Sequence, residues 1–364
     1  MSQPIDRGFS LYLDLARLIS ALIVMFGHAQ VSRLISLPTN ALLDLAPSAV
    51  IVFFVLSGFI IEATTDYEAG VRRYALHRTA RIYSVAIPAV VLSVTLAVVY
   101  AAISRETDLR AFNQDWMQWW RLPVVLSFQA EDWFAVVEVP WNGPFWSLNY
   151  EVFYYALYGA LVFAKGRLRL AMVLSIALLA GPKILLLLPC WWLGVEIARR
   201  PELRFPGKPL AQIVLLASPL VIVGLALSHV GLRIQAVLDE LDPGFTAFDH
   251  SQLFLTDYVV AALTGAGFVA ARQLSFGPDS LLVRYGRPLA WAAGSTFSIY
   301  LFHRPLQHLA SKYFQIGSGN ILQALLVQAA IVALIIALAS VSEWRTAQWR
   351  RFLTDLFQPP ARTA

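Results

Sequence analysis

Residues 11–31 read LYLDLARLISALIVMFGHAQV, an apolar run that only a few polar side chains interrupt. A helix of about 20 apolar residues is long enough to cross the roughly 30 Å hydrocarbon core of a bilayer. The run carries Asp14, Arg17 and His28 and lacks a small-residue cleavage site, so we expect it to stay in the protein as a transmembrane helix rather than to serve as a signal peptide. This stretch predicts that lipid is the solvent of the fold.

The composition of the whole chain agrees with that prediction. Its 364 residues are 58% hydrophobic and only 14% charged, a balance far from that of a water-soluble domain. We predict an all-α integral membrane protein, with a single bundle of about ten transmembrane helices formed by one domain over residues 1–364 and no appended soluble domain. The single cysteine, Cys190, excludes an internal disulfide framework and most simply packs in the bundle.

Apolar runs place the predicted helices along the chain. They lie at 10–31, 46–63, 83–103, 146–164, 168–181, 184–198, 209–230, 253–271, 288–306 and 321–342. The fifth and sixth have a second interpretation, as one kinked helix, because Gly181, Pro182 and Lys183 lie between them.

Lysine and arginine are distributed unevenly between alternate connections. The segments 64–82, 165–169, 199–208, 272–287 and 343–364 hold 18 of them, and the alternate segments 32–45, 104–145, 182–183, 231–252 and 307–320 hold 7. Because basic residues collect in cytoplasmic connections, we predict that both termini of this multi-pass membrane protein are cytoplasmic. The same distribution attributes the net charge of +5 to membrane orientation, and we expect no nucleic-acid partner.

The connection 104–145, on the opposite side, is acidic and rich in tryptophan, with six Asp or Glu residues and five Trp. Acids and indole rings suit the hydroxyls and ring faces of sugars. An aromatic belt at the membrane interface with solvated acids explains the same residues. Both interpretations stay open at the level of sequence.

The first helix carries the sharpest chemical pattern, because ionisable groups inside a membrane are costly and usually functional. Arg17 and His28 are eleven residues apart, about 1100° of helical rotation, so they share a face, and Asp14 lies near the same stripe. His28 is then a candidate general base for a hydroxyl acceptor, or a transient acyl carrier. The alternative is a structural Asp14–Arg17 pair with His28 hydrogen-bonded to a carbonyl.

Two further segments suggest a site for a donor molecule. Ser57 and Gly58 allow close backbone approach, and small-residue helix packing is the alternative explanation. Arg78 and Arg81 are three apart and share a face if the third helix begins early, which would make a paired guanidinium site for a phosphorylated ligand. Ordinary cytoplasmic charge is the alternative for the arginines.

Two helices suggest groups for an acceptor. Ser147 and Glu151, four residues apart behind Trp146, share one face, and Glu151 could pair with His28 for proton handling or with an arginine as a buried structural pair. The stripe of Tyr300, His303 and Gln307 places His303 at the predicted depth of His28 and Glu151, although His303 could equally be an interhelical hydrogen-bonding residue. Without paired i, i+4 ligands we expect no metal.

Taken in order, these segments resemble the acyltransferase-3 family of integral membrane O-acyltransferases. The matching pieces are Arg17 with His28, FFVLSGF at 53–59, the pair Arg78 and Arg81, WSLNYEVFY at 146–154 and STFSIYLFH at 295–303. The chain departs from the family at Ser84, where many relatives have proline, and at Asn149 and Tyr150. None of these departures touches the candidate chemistry.

The resemblance implies a bundle of about ten helices that uses acyl-CoA, often acetyl-CoA, to acylate an extracytoplasmic or lipid-linked glycan or, in some relatives, another small hydroxylated molecule. It implies acyl-CoA as a co-substrate with no permanently bound cofactor, and membrane lipid as surroundings; a homodimer is left open. By position, His28 resembles the essential histidine, Arg17 its basic partner, Arg78 and Arg81 the donor pair and Glu151 the acid of the fourth helix. A proton-coupled secondary transporter is the competing class.

Overall fold

The computed structural model describes residues 5–35, 39–104, 120–314 and 320–357, and within these ranges the regular structure is helical. Its helices are α1 (Arg7–Val31), α2 (Ala41–Thr64), α3 (Gly70–Ser104), α4 (Arg121–Leu126), α5 (Trp146–Phe163), α6 (Gly166–Arg199), α7 (Lys208–Leu227), α8 (Val230–Leu241), α9 (Phe254–Leu274), α10 (Leu281–Arg284), α11 (Gly286–Ala293), α12 (Thr296–Tyr313), α13 (Ile321–Val341) and α14 (Thr346–Phe357). The prediction of an all-helical membrane protein is confirmed.

Seven segments of the described chain are long and apolar enough to cross a membrane: Arg7–Val31, Ala41–Thr64, Gly70–Ser104, Gly166–Arg199, Lys208–Leu227, Pro243–Leu274 and Ile321–Leu356. Helices α5 and α12 have 18 residues each, which gives them a length of about 27 Å. They are not among these seven segments because they carry the polar side chains of the candidate active site described below. The count of about ten spans and the cytoplasmic termini remain predictions.

Helix α3 begins earlier than its apolar run. The sequence predicts a start at 83, whereas the helix starts at Gly70, because alanine, leucine and arginine in the preceding segment are good helix formers that need no lipid contact. Arg78 and Arg81 therefore lie within the helix, which is the condition on which their shared face depends. The amphipathic helices α8 and α14 were not predicted at all, since their apolar faces are too narrow to register as membrane runs.

The close contact of α2 with α6 depends on two glycines. A Cβ on Gly58 would lie 1.9 Å from the backbone oxygen of Trp191, and a Cβ on Gly194 would lie 1.9 Å from that of Val55. Small residues at such crossings let two backbones approach and increase dispersion contacts, which drive helix association in lipid. The structure therefore shows Gly58 as a small residue at a helix crossing, which is the packing alternative given above.

Helix α6 is broken at Gly181, whose φ of 75° favours glycine. The break lies against Trp133, whose backbone N–H and indole N–H donate to the carbonyl oxygens of Ala180 and Leu178 at 3.1 and 2.7 Å. At the other end of the segment, Arg199 pairs with Glu62 at 2.9 Å near the end of α2. Phe163, just before the segment, lies 5.4 Å from the ring of Tyr74 near the α2–α3 connection. The chain therefore folds back at Gly181 into two arms, 166–180 and 182–199.

These contacts define two ends of the bundle. We call the end with the Arg199–Glu62 pair and the α2–α3 connection the basic face, and the end with residues 120–145 the loop face. At the loop face, Lys183 is fully buried and its ammonium lies 2.5 Å from the carboxylate of Glu131. The ion pair fixes the loop on the α6 break. The predicted sugar-binding role of segment 104–145 rests partly on residues 105–119, which lie outside the described ranges.

Candidate active site

A cavity between five helices collects most of the residues that the sequence singled out. Its polar lining comes from α1, α2, α3, α5 and α12, and consists of Arg17, Ser57, Arg78, Arg81, Ser147, Glu151, Tyr155, Thr296 and Tyr300. Phenylalanine, leucine, valine and isoleucine side chains line the remainder. The cavity is therefore an apolar passage with charged groups at defined positions, as ligand sites commonly are.

Three arginines mark the basic end of this cavity. Arg17 donates to Asp14 at 2.7 Å, and Arg78 donates to the hydroxyl of Thr64 at 3.0 Å while its guanidinium stacks on the rings of Tyr74 and Tyr155 at 5.8 and 5.7 Å. The Asp14–Arg17 structural pair is thus present. It does not remove Arg17 from the cavity, since the same side chain lines it.

The arginines also border a second, adjoining cavity of about 330 Å³ at the basic face. Arg17, Arg78 and Arg81 line both cavities, and the wider one adds His77 and Arg350 together with the carboxylate of Glu343. Arg350 of α14 lies 3.3 Å from the His77 ring. A polyanion that entered here would meet several cationic groups before it reached the apolar passage.

Glu151 lines the passage, and one of its carboxylate oxygens accepts two hydrogen bonds. It accepts hydrogen bonds from the hydroxyls of Ser57 and Tyr155, the latter at 2.5 Å, and the Trp191 indole N–H donates to the Ser57 oxygen at 3.1 Å. Arg81 lies beside Tyr155 and close enough to Glu151 to interact with its charge. The hydrogen bonds of Glu151 go to Ser57 and Tyr155 rather than to His28. The carboxylate is half-buried and lies near Arg81 without a direct ion pair.

Tyr300 lies at the far end of the passage from the arginines. Its hydroxyl is 2.7 Å from the hydroxyl of Ser147, and its ring packs edge-on against Phe53 at 5.6 Å. The same ring lies 6.4 Å from the ring of His303. Tyr300 therefore connects the cavity to the histidines behind it.

His28 and His303, from α1 and α12, form a direct pair. Nδ1 of His28 is 3.0 Å from Nε2 of His303, and the two rings are 5.1 Å apart. His303 is completely buried, and its Nδ1 lies 2.8 Å from the carbonyl oxygen of Ile299. The structure thus brings together two imidazoles that are 275 residues apart in sequence.

Five predicted site residues are not part of the cavity lining: Asp14, which pairs with Arg17, the histidines His28 and His303 behind Tyr300, and Gly58 and Trp146. Gly58 packs on α6, as described, and Trp146 stacks on His250 at 4.3 Å and packs against Phe54 at 6.2 Å near the loop face. Trp146 can position the start of α5, and with it the neighbouring Ser147, without facing the passage.

Sequence reasoning missed three residues that complete the site. Tyr155 and Trp191 hydrogen-bond within the Ser57–Glu151 cluster, and Glu343 accepts from the backbone N–H of Ser298 at 2.9 Å beside the arginines. Tyr155 was detectable, because it lies four residues after Glu151 and so on its face. Trp191 and Glu343 carry no such local signal.

Among the described residues, one group of side chains could hold a metal ion: the ligand atoms of Glu131, Asp249 and His250 lie within 4.8 Å of one another. Lys183 already lies against the Glu131 carboxylate and supplies the compensating positive charge. We assign no metal to this group, which is at the loop face and separate from the passage.

Comparison with known proteins gives one match. A family model described as an acyltransferase domain matches residues 10–342. This range contains every site residue that the sequence predicted, whereas Glu343 and Arg350 lie just beyond it. No curated protein and no solved structure matches the chain.

Proposed function

The chain belongs to the acyltransferase-3 family, and from that premise we propose that it is a membrane-embedded O-acyltransferase. It would transfer an acyl group, in the first instance acetyl, from acyl-CoA at the basic face to a hydroxyl of an extracytoplasmic or lipid-linked glycan. A multi-pass position in the bacterial inner membrane with the basic face toward the cytoplasm belongs to the same proposal.

The observation that carries the proposal is the continuity of the site. The cavity is lined by Arg78 at one end and Tyr300 at the other, and Tyr300 in turn lies against His303, the partner of His28. A donor with a polyanionic head, a long flexible arm and a reactive thioester fits this order of guanidinium groups, apolar walls and imidazoles. Guanidinium groups suit phosphates because of their charge and planar donor geometry.

Within this arrangement the arginines would bind CoA phosphates, and the arm would extend along the passage toward Tyr300. His28 would take the proton from the acceptor hydroxyl as its oxygen attacks the thioester carbon, and the released CoA sulfur would recover a proton. Alternatively, His28 would first accept the acyl group and then pass it to the acceptor. Glu151 would hold Ser57 and Tyr155 in the passage wall rather than orient His28.

The competing class, a secondary transporter, draws no support from the break in α6. Transporters of that class use helices broken near the middle of the membrane, where half-helix ends bind the substrate. Gly181 instead lies against Trp133 of the loop face. Trp133 donates hydrogen bonds to the carbonyl oxygens at this reversal, so they need no bound substrate. A small hydroxylated acceptor other than a glycan remains an alternative within the acyltransferase proposal.

The direct test is the release of free thiol by the purified protein in detergent or nanodiscs. We expect slow release from acetyl-CoA alone, because the buried site shields the thioester from water, and faster release when the correct glycan acceptor is added. Isothermal calorimetry should show acyl-CoA binding in the absence of acceptor. A folded protein that binds no acyl-CoA of any chain length would overturn the proposal.

Mass spectrometry of surface glycans from producer cells, with and without the protein, would identify the acceptor and the acyl length. Loss of a 42 Da acetyl increment from one glycan class would identify both at once, since about 42 Da is the mass that acetylation of a hydroxyl adds. An unchanged glycan profile would direct the search to small hydroxylated molecules.

A further inference from the structure

We propose that His303 is a positioning residue that fixes the tautomer of His28, so that His28 presents the unprotonated Nε2 to the acceptor. The inference rests on the proposed acyltransferase function for its consequence, but its structural content concerns only which ring nitrogens carry hydrogen. It assigns to His303 a role distinct from that of a second base.

The chain of hydrogen bonds begins at a backbone carbonyl. Nδ1 of His303 lies 2.8 Å from the carbonyl oxygen of Ile299, one turn earlier on α12. A carbonyl oxygen can only accept, so Nδ1 of His303 must carry the hydrogen. In a neutral imidazole the other nitrogen, Nε2, is then an acceptor.

The second bond transmits this assignment to α1. Nδ1 of His28 lies 3.0 Å from Nε2 of His303, and because that Nε2 accepts, Nδ1 of His28 must donate. The remaining nitrogen of His28, Nε2, is therefore the one with a free lone pair. A base or an acyl carrier needs that lone pair, so the assignment serves both mechanisms.

The surroundings keep both imidazoles in place and neutral. His303 is completely buried and His28 is half-buried, and charging either ring without an acidic partner would be costly. The charged group that faces the pair among the described residues is the Arg304 guanidinium, which donates to the hydroxyl of Ser32 at 2.5 Å. The positive charge of Arg304 does not stabilise a protonated imidazole, so both rings are neutral before the reaction starts.

Two contacts on either side fix the register of α12 on α1. Gln307 donates to the carbonyl oxygen of Met25 at 2.8 Å, and Arg304 donates to Ser32. His28, the partner of His303, lies between Met25 and Ser32 in the chain, so the ring of His303 cannot move along α1 without breaking one of these contacts. The His28–His303 pair is thus held in position by two neighbouring contacts in addition to its own hydrogen bond.

During transfer this arrangement would act on one proton. As the acceptor oxygen bonds to the thioester carbon, its proton moves to Nε2 of His28, and the positive ring is stabilised by the bond from its Nδ1 to Nε2 of His303. The carbon–sulfur bond then breaks, and the proton passes from His28 to the CoA sulfur. The products are the acylated acceptor and CoA, with no redox change.

Two isosteric variants separate positioning from other roles. In His303→Gln the side-chain amide reaches the place of Nε2 and can still accept from His28, whereas in His303→Asn the amide reaches only the place of Nδ1 and can bond Ile299 but not His28. We expect His303→Gln to retain kcat within about tenfold, and His303→Asn to lose about 10² to 10⁴, in the range that loss of a tautomer-fixing partner has in a serine protease triad. Equal and complete loss in two folded variants would make His303 the base, and equal retention would make it structural.

A spectroscopic measurement tests the tautomer of His28 without an activity assay. The chain has six histidines, so ¹⁵N-histidine labelling with NMR, assigned by His28→Ala and His303→Asn, can resolve the two rings. We expect His28 to show a protonated Nδ1 and a bare Nε2 in the wild type, and to lose this preference in His303→Asn. A protonated Nε2 on His28 in the wild type would overturn the inference, whereas failure of the proposed function would appear separately as absent acyl-CoA binding.

Discussion

The two ends of the site differ in the charge of their side chains. At the basic end, Arg17 is paired with Asp14 and Arg81 lies among Tyr155, Glu343 and Glu151, so fixed positive charge is present and largely compensated. At the far end, His28 and His303 bond to each other and to a backbone carbonyl, with no acidic partner in the described part of the chain.

This difference separates binding from chemistry. Groups that are permanently charged attract a polyanion equally in the ground state and the transition state, and so act mainly on affinity. The neutral imidazoles of His28 and His303 gain charge only when a proton moves during transfer. They therefore affect the rate of the chemical step rather than the affinity for the donor. The site therefore predicts that mutations at its two ends alter different kinetic constants.

The largest expected effect comes from removal of the histidine. His28→Ala should lower the rate of transfer by about 10² to 10⁴, the usual value of a general base, or by more if His28 carries the acyl group. Acyl-CoA affinity should stay nearly unchanged because the arginines are intact. Steady-state transfer and calorimetric affinity for acyl-CoA, measured on the same preparation, test this separation.

The matched control is His229→Asn, at a position with φ of 52° that asparagine tolerates, which should transfer at the wild-type rate. A near wild-type rate in His28→Ala would remove His28 from the mechanism. Intact-protein mass after incubation with the donor alone adds a second result: a stable increase that maps to His28 would favour the carrier route.

The double variant Arg78→Gln, Arg81→Gln should raise KM for acyl-CoA by about 10- to 100-fold and change kcat much less. Each lost guanidinium removes charge-assisted hydrogen bonds to phosphate, worth about 1.5–3 kcal/mol apiece, and the remaining Arg17 offsets part of the loss. The salt dependence of KM should also weaken in the variant.

Arg73→Gln serves as the control on the same helix, because Arg73 is exposed and paired with Asp66 at 3.3 Å outside the cavity. Thermal melting must first show that the double variant is folded, since Arg78 stacks on Tyr155 and Arg81 lies beside it. An unchanged KM in a folded double variant would disprove the donor assignment and with it the contrast between the two ends.

Gly58→Ala tests whether the two ends must be held at a fixed spacing. The new Cβ would collide with the Trp191 backbone oxygen, and overpacking of this kind costs about 1–3 kcal/mol of stability. We expect a lower melting temperature and loss of transfer in proportion to unfolding. Gly224→Ala, where nothing lies within 4 Å, should melt like the wild type; equal melting of all three proteins would refute the close contact of α2 with α6.

The smallest expected effect is that of Tyr300→Phe, at the boundary between the ends. It removes one hydrogen bond to Ser147, worth about 0.5–1.5 kcal/mol, so transfer should fall by about two- to twelvefold. Tyr285→Phe, an exposed tyrosine outside the site, should have no effect on transfer. A drop comparable to that of His28→Ala would show that Tyr300 takes part in the chemistry directly.

Much of this fold could be predicted because lipid imposes a simple rule. Every spanning backbone must satisfy its own hydrogen bonds, so long apolar runs become helices, and α1, α2, α7, α9 and α13 were expected close to where they lie. The amphipathic α14 and the early start of α3 were not expected, since helices outside lipid depend on capping and packing rather than on length of an apolar run.

Sequence patterns selected the candidate site residues one by one but did not predict the contacts between them. Helical periodicity placed Arg17 and His28 on one face, and inferred depth put His28, His303 and Glu151 at one level. Depth in the membrane does not specify which way a side chain points around its helix. Glu151 faces Ser57 of α2 and bonds Tyr155 of its own helix instead. Contacts between distant helices depend on packing, as Gly58 on Trp191 shows, and no local pattern encodes that packing.

The reversal at Gly181 also constrains how the protein is made. Its two arms contain about 15 and 18 residues, short for independent membrane spans, so we expect them to enter the bilayer as one hairpin that carries the Lys183 ammonium with it. Moving a lysine to the middle of a membrane helix costs about 2.5–3.5 kcal/mol at the translocon. Glu131 precedes Lys183 in the chain and emerges from the ribosome first, so the partner that neutralises Lys183 is already synthesised when the hairpin inserts.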